Sequence, residues 1–217
     1  LFRKREYNSA ANHLKSAYSC SKEHFGQDQL LSIMILNNIL FFYYSQQKIY
    51  KIPERVDYFK VSQVLEKASP EKIINQPGLY IQLYENYARV CFIMSGYQQA
   101  TENLNKSQQA FEKCLEIYKS GGNSEDNLYT AELYSDIGVI YYERMEFGRA
   151  LEYLSKALEI RHKYPGESQD KLASCLSQTS RCYQSINNFE KALQLESEAL
   201  EIERQTAAQD KIDTDRS

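Results

Sequence analysis

Turn-forming residues are scarce in this chain. Its 217 residues include only 8 glycines and 4 prolines, too few for the many tight turns of an all-β sandwich. The five cysteines, Cys20, Cys91, Cys114, Cys175 and Cys182, are odd in number, widely spaced and never arranged as CxxC. That pattern excludes a disulfide framework and a clustered zinc site, and it predicts reduced, buried thiols in a cytosolic compartment. His13, His24 and His162 stand far apart, with no HExxH. The longest apolar run, Leu30 to Tyr44, has 15 residues and is broken by Asn37-Asn38, short of the roughly 20 that a bilayer requires. No signal peptide is present, and a first residue of Leu rather than Met implies a start inside a longer protein. Glycine-rich phosphate loops, GxSxG elbows and calcium loops are all missing. Paired carboxylates such as Glu152/Glu159 and Glu198/Glu201 fall on outer helix faces, where nothing would shift their pKa. The expectation is a protein that is not an enzyme and takes no metal, nucleotide or other cofactor.

The net charge of −3 gives no reason to expect nucleic acid or an anionic membrane as partner. It conceals an asymmetry. Residues 1–75 carry 11 Lys/Arg against 7 Asp/Glu, and residues 76–217 carry 15 against 22.

What the chain does have is repetition. Tyr141, Ala150, Leu154, Ala157, Leu158, Glu159 and Ile160 recur 42 residues later as Tyr183, Ala192, Glu196, Ala199, Leu200, Glu201 and Ile202. Tyr84, Ala88, Cys91, Ala100, Leu104 and Ser107 keep the same internal spacing, 50 residues before Tyr134, Gly138, Tyr141, Ala150, Leu154 and Ala157. In each copy a large residue, a small one four later and an aromatic three after that share one helical face. A short polar break follows, and then a second helix with Ala, Leu, Ala at i, i+4, i+7. The small residues Ala88, Gly138 and Ser180, with Ala100, Ala150 and Ala192, let paired helices approach closely. Helices are predicted at about 3–23, 28–47, 54–68, 78–94, 97–119, 127–144, 147–163, 169–185 and 189–207. Loops are predicted at Ser69–Gly78 and Ser120–Asp126, with a polar tail at 208–217.

The set Tyr134, Gly138, Tyr141, Ala150, Leu154, Ala157 resembles the tetratricopeptide repeat. The 42-residue spacing, with Leu36-Asn37-Asn38-Ile39-Leu40 and the Ala-Leu-Glu-Ile helix ends, is similar to the kinesin light chain subclass. The resemblance implies an all-α, right-handed solenoid of antiparallel helix pairs. Residues 1–207 would form one array: a half repeat at 1–24 and repeats at about 28–70, 76–119, 127–164 and 169–207. Lys119–Asn123 reads as a helix C-cap and loop within it.

Such an array implies a groove lined by first helices that binds a segment of a partner protein. Two positions before each small residue stand Asn38, Asn86, Asp136 and Gln178, which resemble the ladder by which kinesin light chains hold an extended peptide backbone. Amides suit this because each donates and accepts. Gln82, Glu85, Arg89, Glu132, Tyr142, Glu143 and Arg181 are their expected neighbours. Glu85, Glu132, Asp136 and Glu143 would make the middle acidic, favouring a basic or mixed-charge segment and opposing a chaperone's C-terminal carboxylate. Aromatics on two faces of one helix, at Phe41–Tyr44 and Tyr141-Tyr142, require either cover by neighbouring helices or a docking patch, here Phe42 and Tyr44. The function expected is an interaction scaffold or adaptor. The alternatives are a structural subunit of a large ciliary or cytoskeletal assembly, and a regulatory domain of a longer enzyme.

Overall fold

The computed structural model describes residues 69–96, 99–164 and 169–215, together with isolated positions between 13 and 66 (13, 16, 17, 19–21, 23, 24, 32, 34, 35, 38, 65 and 66). The three helices expected before residue 69 fall mostly outside the described residues, as do Phe42 and Tyr44. The isolated positions are helical, and Asn38 among them is exposed. Every described element is a helix: α1 Pro70–Asn75, α2 Pro77–Ser95, α3 Ala100–Ser120, α4 Leu128–Glu143, α5 Phe147–His162, α6 Gln169–Ser185 and α7 Phe189–Asp215. They fall into two compact units, 1–123 and 124–217. The boundary lies in the Gly121–Asn123 turn, where Gly121 N–H closes α3 onto Ile117 O and Gly122 takes φ +76°. The expected C-cap is therefore present.

In the first unit α2 packs against α3 in an antiparallel register marked by two bonds. Ser107 Oγ donates to Ala88 O (2.8 Å), and seven residues along each helix Cys114 Sγ donates to Ile81 O (3.5 Å). In the second unit α4 pairs with α5, α5 packs on α6, and α6 pairs with α7. Gly138 sits where α4 crosses α5: a Cβ there would lie 2.7 Å from Leu154 Cγ. The equivalent place on α6 holds Ser180, whose hydroxyl donates to Ala192 O (2.9 Å). A small residue or a hydroxyl that bonds the facing backbone is what lets each pair close. Ala150 and Ala192 are buried as expected, whereas Ala100 is exposed. Helix α3 begins only at Ala100, after left-handed Gln99 (φ 47°), so that alanine lies in the first turn, ahead of the packed stretch that starts at Asn103 and Leu104.

The same device joins each helix pair of the second unit. Met145 and Asn187 take φ 61° and 59°. Glu146 N–H reaches back to Tyr141 O (2.9 Å), as Asn188 N–H does to Tyr183 O (2.8 Å). This six-to-one bond beside a left-handed residue is a Schellman-type helix stop, made without glycine.

Two boundaries differ from the sequence expectation. The predicted loop Ser69–Gly78 contains α1, because Ser69 accepts from Lys72 N–H and Pro70 occupies the first helical position, where its missing N–H costs nothing. The predicted polar tail continues α7 as far as Asp215, since no glycine or proline follows Phe189 to stop it.

Cys91, Cys114, Cys175 and Cys182 are buried and free, but Cys20 is exposed, contrary to expectation; it lies on an exposed helical face one turn from His24. Burial pushes the Cys91 and Cys182 thiols up to about 11, which suppresses the reactive thiolate. In the native protein at pH 8, a colorimetric disulfide reagent is expected to titrate one thiol per chain rapidly and all five only in denaturant. Two or more fast thiols would contradict this burial.

Candidate functional site

In the second unit the first helices of the two pairs, α4 and α6, meet side by side, and their contacts run in rows. Ser135 Oγ and Cys175 Sγ lie 3.5 Å apart within the buried layer. Burial raises the Cys175 thiol, against an opposing pull from Ser135 and Arg161. Next to this row, Glu132 Oε1 accepts from Lys171 Nζ (2.9 Å), while its Oε2 lies 3.7 Å from the Arg161 guanidinium. At the other end Arg181 stacks over the Tyr142 ring, 4.9 Å from its centroid. Val139, Tyr142, Leu154, Gln178 and Arg181 line a cleft of about 10 Å³, enough for about one water-sized group.

Five of the expected groove residues are therefore gathered on α4 and α6: Glu132, Asp136, Tyr142, Gln178 and Arg181. Asp136 and Gln178 are half-buried, and Glu143 is exposed. The Gln178 amide donates toward Ser174 Oγ (3.5 Å), while its buried Oε1 accepts no hydrogen bond from the chain. In the first unit, Gln82, Glu85, Asn86 and Arg89 follow one another along α2. Arg89 bonds Glu85 one turn earlier, and Asn86 is buried.

Two expectations change here. Of the four acids expected to make the middle acidic, two are met by cations of their own unit: Glu132 holds Lys171 and Arg161, and Glu85 holds Arg89. Asn86, expected as a ladder residue, is buried, so its replacement would disturb packing. Arg161 was not anticipated. It is 5% exposed and reaches from α5 to Glu132 of α4 and Cys175 of α6. A signal for it exists in the sequence: Leu154, Leu158 and Arg161 share one helical stripe (i, i+4, i+7), which places the arginine on a packing face.

The paired aromatics are covered by neighbours. Tyr141 stacks on Tyr153 of α5 (5.4 Å), with Arg144 and Arg149 over its ring, while Tyr142 leans on Phe147 (5.6 Å) and Arg181. Between Tyr141 and Tyr142 no exposed patch remains.

Among the described residues no three His, Cys, Asp or Glu side chains converge as metal ligands, and no helix is long and apolar enough to cross a membrane.

The model of the tetratricopeptide repeat family matches residues 129–205, from the first turn of α4 into α7. The chain is 29% identical over 130 residues to the human (Homo sapiens) clustered mitochondria protein homolog, a stretch covering 60% of this chain. It spans 9% of that relative's length. Among solved structures it is similar to BtubC (BKLC) from P. vanneervenii, with a TM-score of 0.69, 17% identity, and cover of 94% of this chain and 76% of the other. It is also similar to the TPR-like repeats of a protein assigned as a kinesin light chain from Podosopora anserina, with a TM-score of 0.68, 12% identity, and cover of 95% and 91%. These likenesses establish an all-α fold of the tetratricopeptide type.

Proposed function

We propose that this chain is a non-catalytic interaction module that holds an extended segment of a partner protein along its first helices. The observation that carries the reading is the buried Gln178 Oε1, an acceptor without a donor in a cleft edged by Tyr142 and Arg181. A backbone N–H from a bound segment would supply that donor, and Arg181 and Tyr142 would grip what flanks it. Because Glu132 is already paired with Lys171 and Arg161, the segment is of mixed charge rather than strongly basic. The recurrence at 42 and 50 residues supports one continuous array of the kinesin-light-chain-like kind over residues 1–207. The role is that of an adaptor or scaffold.

The test is to select binders from a random-peptide display library on the immobilised chain and to measure them by fluorescence anisotropy. Gln178→Ala is expected to weaken the selected peptides by about 1–3 kcal/mol, and Arg181→Glu to shift their charge preference, both with an unchanged Tm. Peptides that bind Gln178→Ala and Arg181→Glu as tightly as the parent would move the binding face elsewhere.

A further inference from the structure

The two units carry copies of one arrangement, offset by 50 residues, and the second copy is closed by groups that the first lacks. In the second unit Tyr134 stands on α4, and Lys156, Ile160 and Lys163 follow along α5 and its C-cap. Two carboxylates from the loop that enters α4 meet them. Glu125 Oε2 accepts from the Tyr134 hydroxyl (3.0 Å), and Asp126 Oδ2 accepts from Lys163 Nζ (3.0 Å). Lys163 also holds Glu159 of its own helix at 3.3 Å, so one ammonium serves two carboxylates. Ile160 beside them is buried.

The first unit keeps the tyrosine and both lysines, as Tyr84 on α2 and Lys106 and Lys113 on α3. The rest has changed. Asn75 and Gln76, neutral amides, stand where the second copy has Glu125 and Asp126, and Ala110 stands where it has Ile160. Here lies a cavity of about 330 Å³, walled by Leu65, Tyr84, Tyr87 and Ala110, with Lys106 and Lys113 beside them. That is the size of a small-molecule site. Burial pushes the Tyr84 hydroxyl up to about 12, so it stays a donor, and it donates to Leu65 O over a long 3.4 Å. Lys113 bonds Glu116 of its own helix, which is largely exposed. The pair Lys163 and Glu159 shows that such a bond leaves room for a second carboxylate.

We propose that this cavity binds a small organic acid, a single carboxylate on an apolar body. The carboxylate accepts from Tyr84 and Lys113, as Glu125 and Asp126 accept from Tyr134 and Lys163 in the second unit. The body packs on Leu65 and Tyr87 in the space left by the missing side chain at Ala110. Glu66, exposed at the rim, opposes a second negative charge, which selects a monoacid. This site lies wholly in the first unit and does not depend on the cleft at Gln178.

The test is calorimetric titration of the full chain with phenylbutyrate and octanoate, two acids with bodies of different shape, and with phenylbutanol as the uncharged control. Each acid is expected to bind at one site per chain and to raise the Tm. The alcohol is expected to bind about tenfold more weakly, the scale of one charge-assisted hydrogen bond. Lys113→Met is expected to weaken the acids about tenfold and to leave the alcohol unchanged. Ala110→Ile, which copies the second unit, is expected to abolish binding of acids and alcohol alike. Lys113 is part-exposed, so its variant keeps the fold, and that arm decides even where Ala110→Ile melts early. Absence of saturable binding by both acids overturns the proposal. So does an alcohol that binds as tightly as the acids, or acid binding that is indifferent to Lys113→Met or survives Ala110→Ile in a folded protein. Loss of acid binding in Gln178→Ala overturns it too, by placing the acid in the second unit.

Discussion

Gly138→Ala is expected to destabilise the protein, yet the same substitution in a Leu154→Ala background is expected to stabilise it. The added Cβ would sit 2.7 Å from Leu154 Cγ and 3.4 Å from Ala150 O. The closer contact is with the branch point of a fully buried leucine, which has no room to swing away. Overpacking of this kind costs about 1–3 kcal/mol, against a gain of about 1 kcal/mol for replacing a mid-helix glycine with alanine. A contact of 2.7 Å with a branch point rather than a flexible chain end puts the cost in the upper part of that range, about 2–3 kcal/mol. The loss therefore wins by about 1–2 kcal/mol. Leu154→Ala alone removes buried methyl groups and leaves a cavity, at about 3 kcal/mol. With the leucine gone, the alanine at 138 has space, and the helix-propensity gain is expressed. A double-mutant cycle by urea denaturation, followed at 222 nm, is expected to give a coupling of about 2–3 kcal/mol. Additive effects would mean that α4 and α5 do not meet at Gly138.

Glu132→Gln is expected to cost about 3 kcal/mol, while Arg161→Met costs about 1 kcal/mol or less. The two substitutions remove the same ion pair from opposite ends. Losing the carboxylate strands a guanidinium that is 5% exposed between three helices. Losing the guanidinium leaves Glu132 with partial access to water and a 2.9 Å bond to Lys171, and methionine fills much of the vacated volume. Lys171→Met, at an exposed position, is expected to change stability by less than about 0.5 kcal/mol, as exposed pairs generally do. Equal losses for Glu132→Gln and Arg161→Met in chemical denaturation would show that Arg161 reaches water.

The helix pairs were legible in the sequence because the constraint on them is steric. Small residues at Ala88, Gly138 and Ser180 had to recur wherever two backbones approach, and aromatics had to fill the space beside them. Charge placement was not legible in the same way. Whether Glu132 faces a partner or an arginine depends on how far Arg161 reaches across from α5, and a single sequence shows a stripe but not its reach. The turns hid for a related reason. A left-handed residue usually betrays itself as glycine, but Gln99, Met145 and Asn187 take that conformation here, and at Met145 and Asn187 the turn is closed by a backbone hydrogen bond that no side chain announces. Helix α1 was missed because two prolines, Pro70 and Pro77, look like loop residues until each is seen to start a helix. Of the candidate site, the grouping of Tyr142, Gln178 and Arg181 followed from helical phase. The burial of Asn86 did not, since an amide on a packed face looks the same in sequence as one on a wet face.

The glycine-free turns bear on how such a chain can drift over evolutionary time. Where a backbone bond, rather than a particular side chain, turns one helix back on the next, the residue at the corner can be exchanged at modest cost. Selection then acts on little more than the crossing points, where a Cβ or a hydroxyl decides whether two helices touch. Most other positions are free to wander while the path of the chain stays put. That is the pattern seen against BtubC, where 17% identity accompanies a TM-score of 0.69: two chains with few letters in common follow the same path.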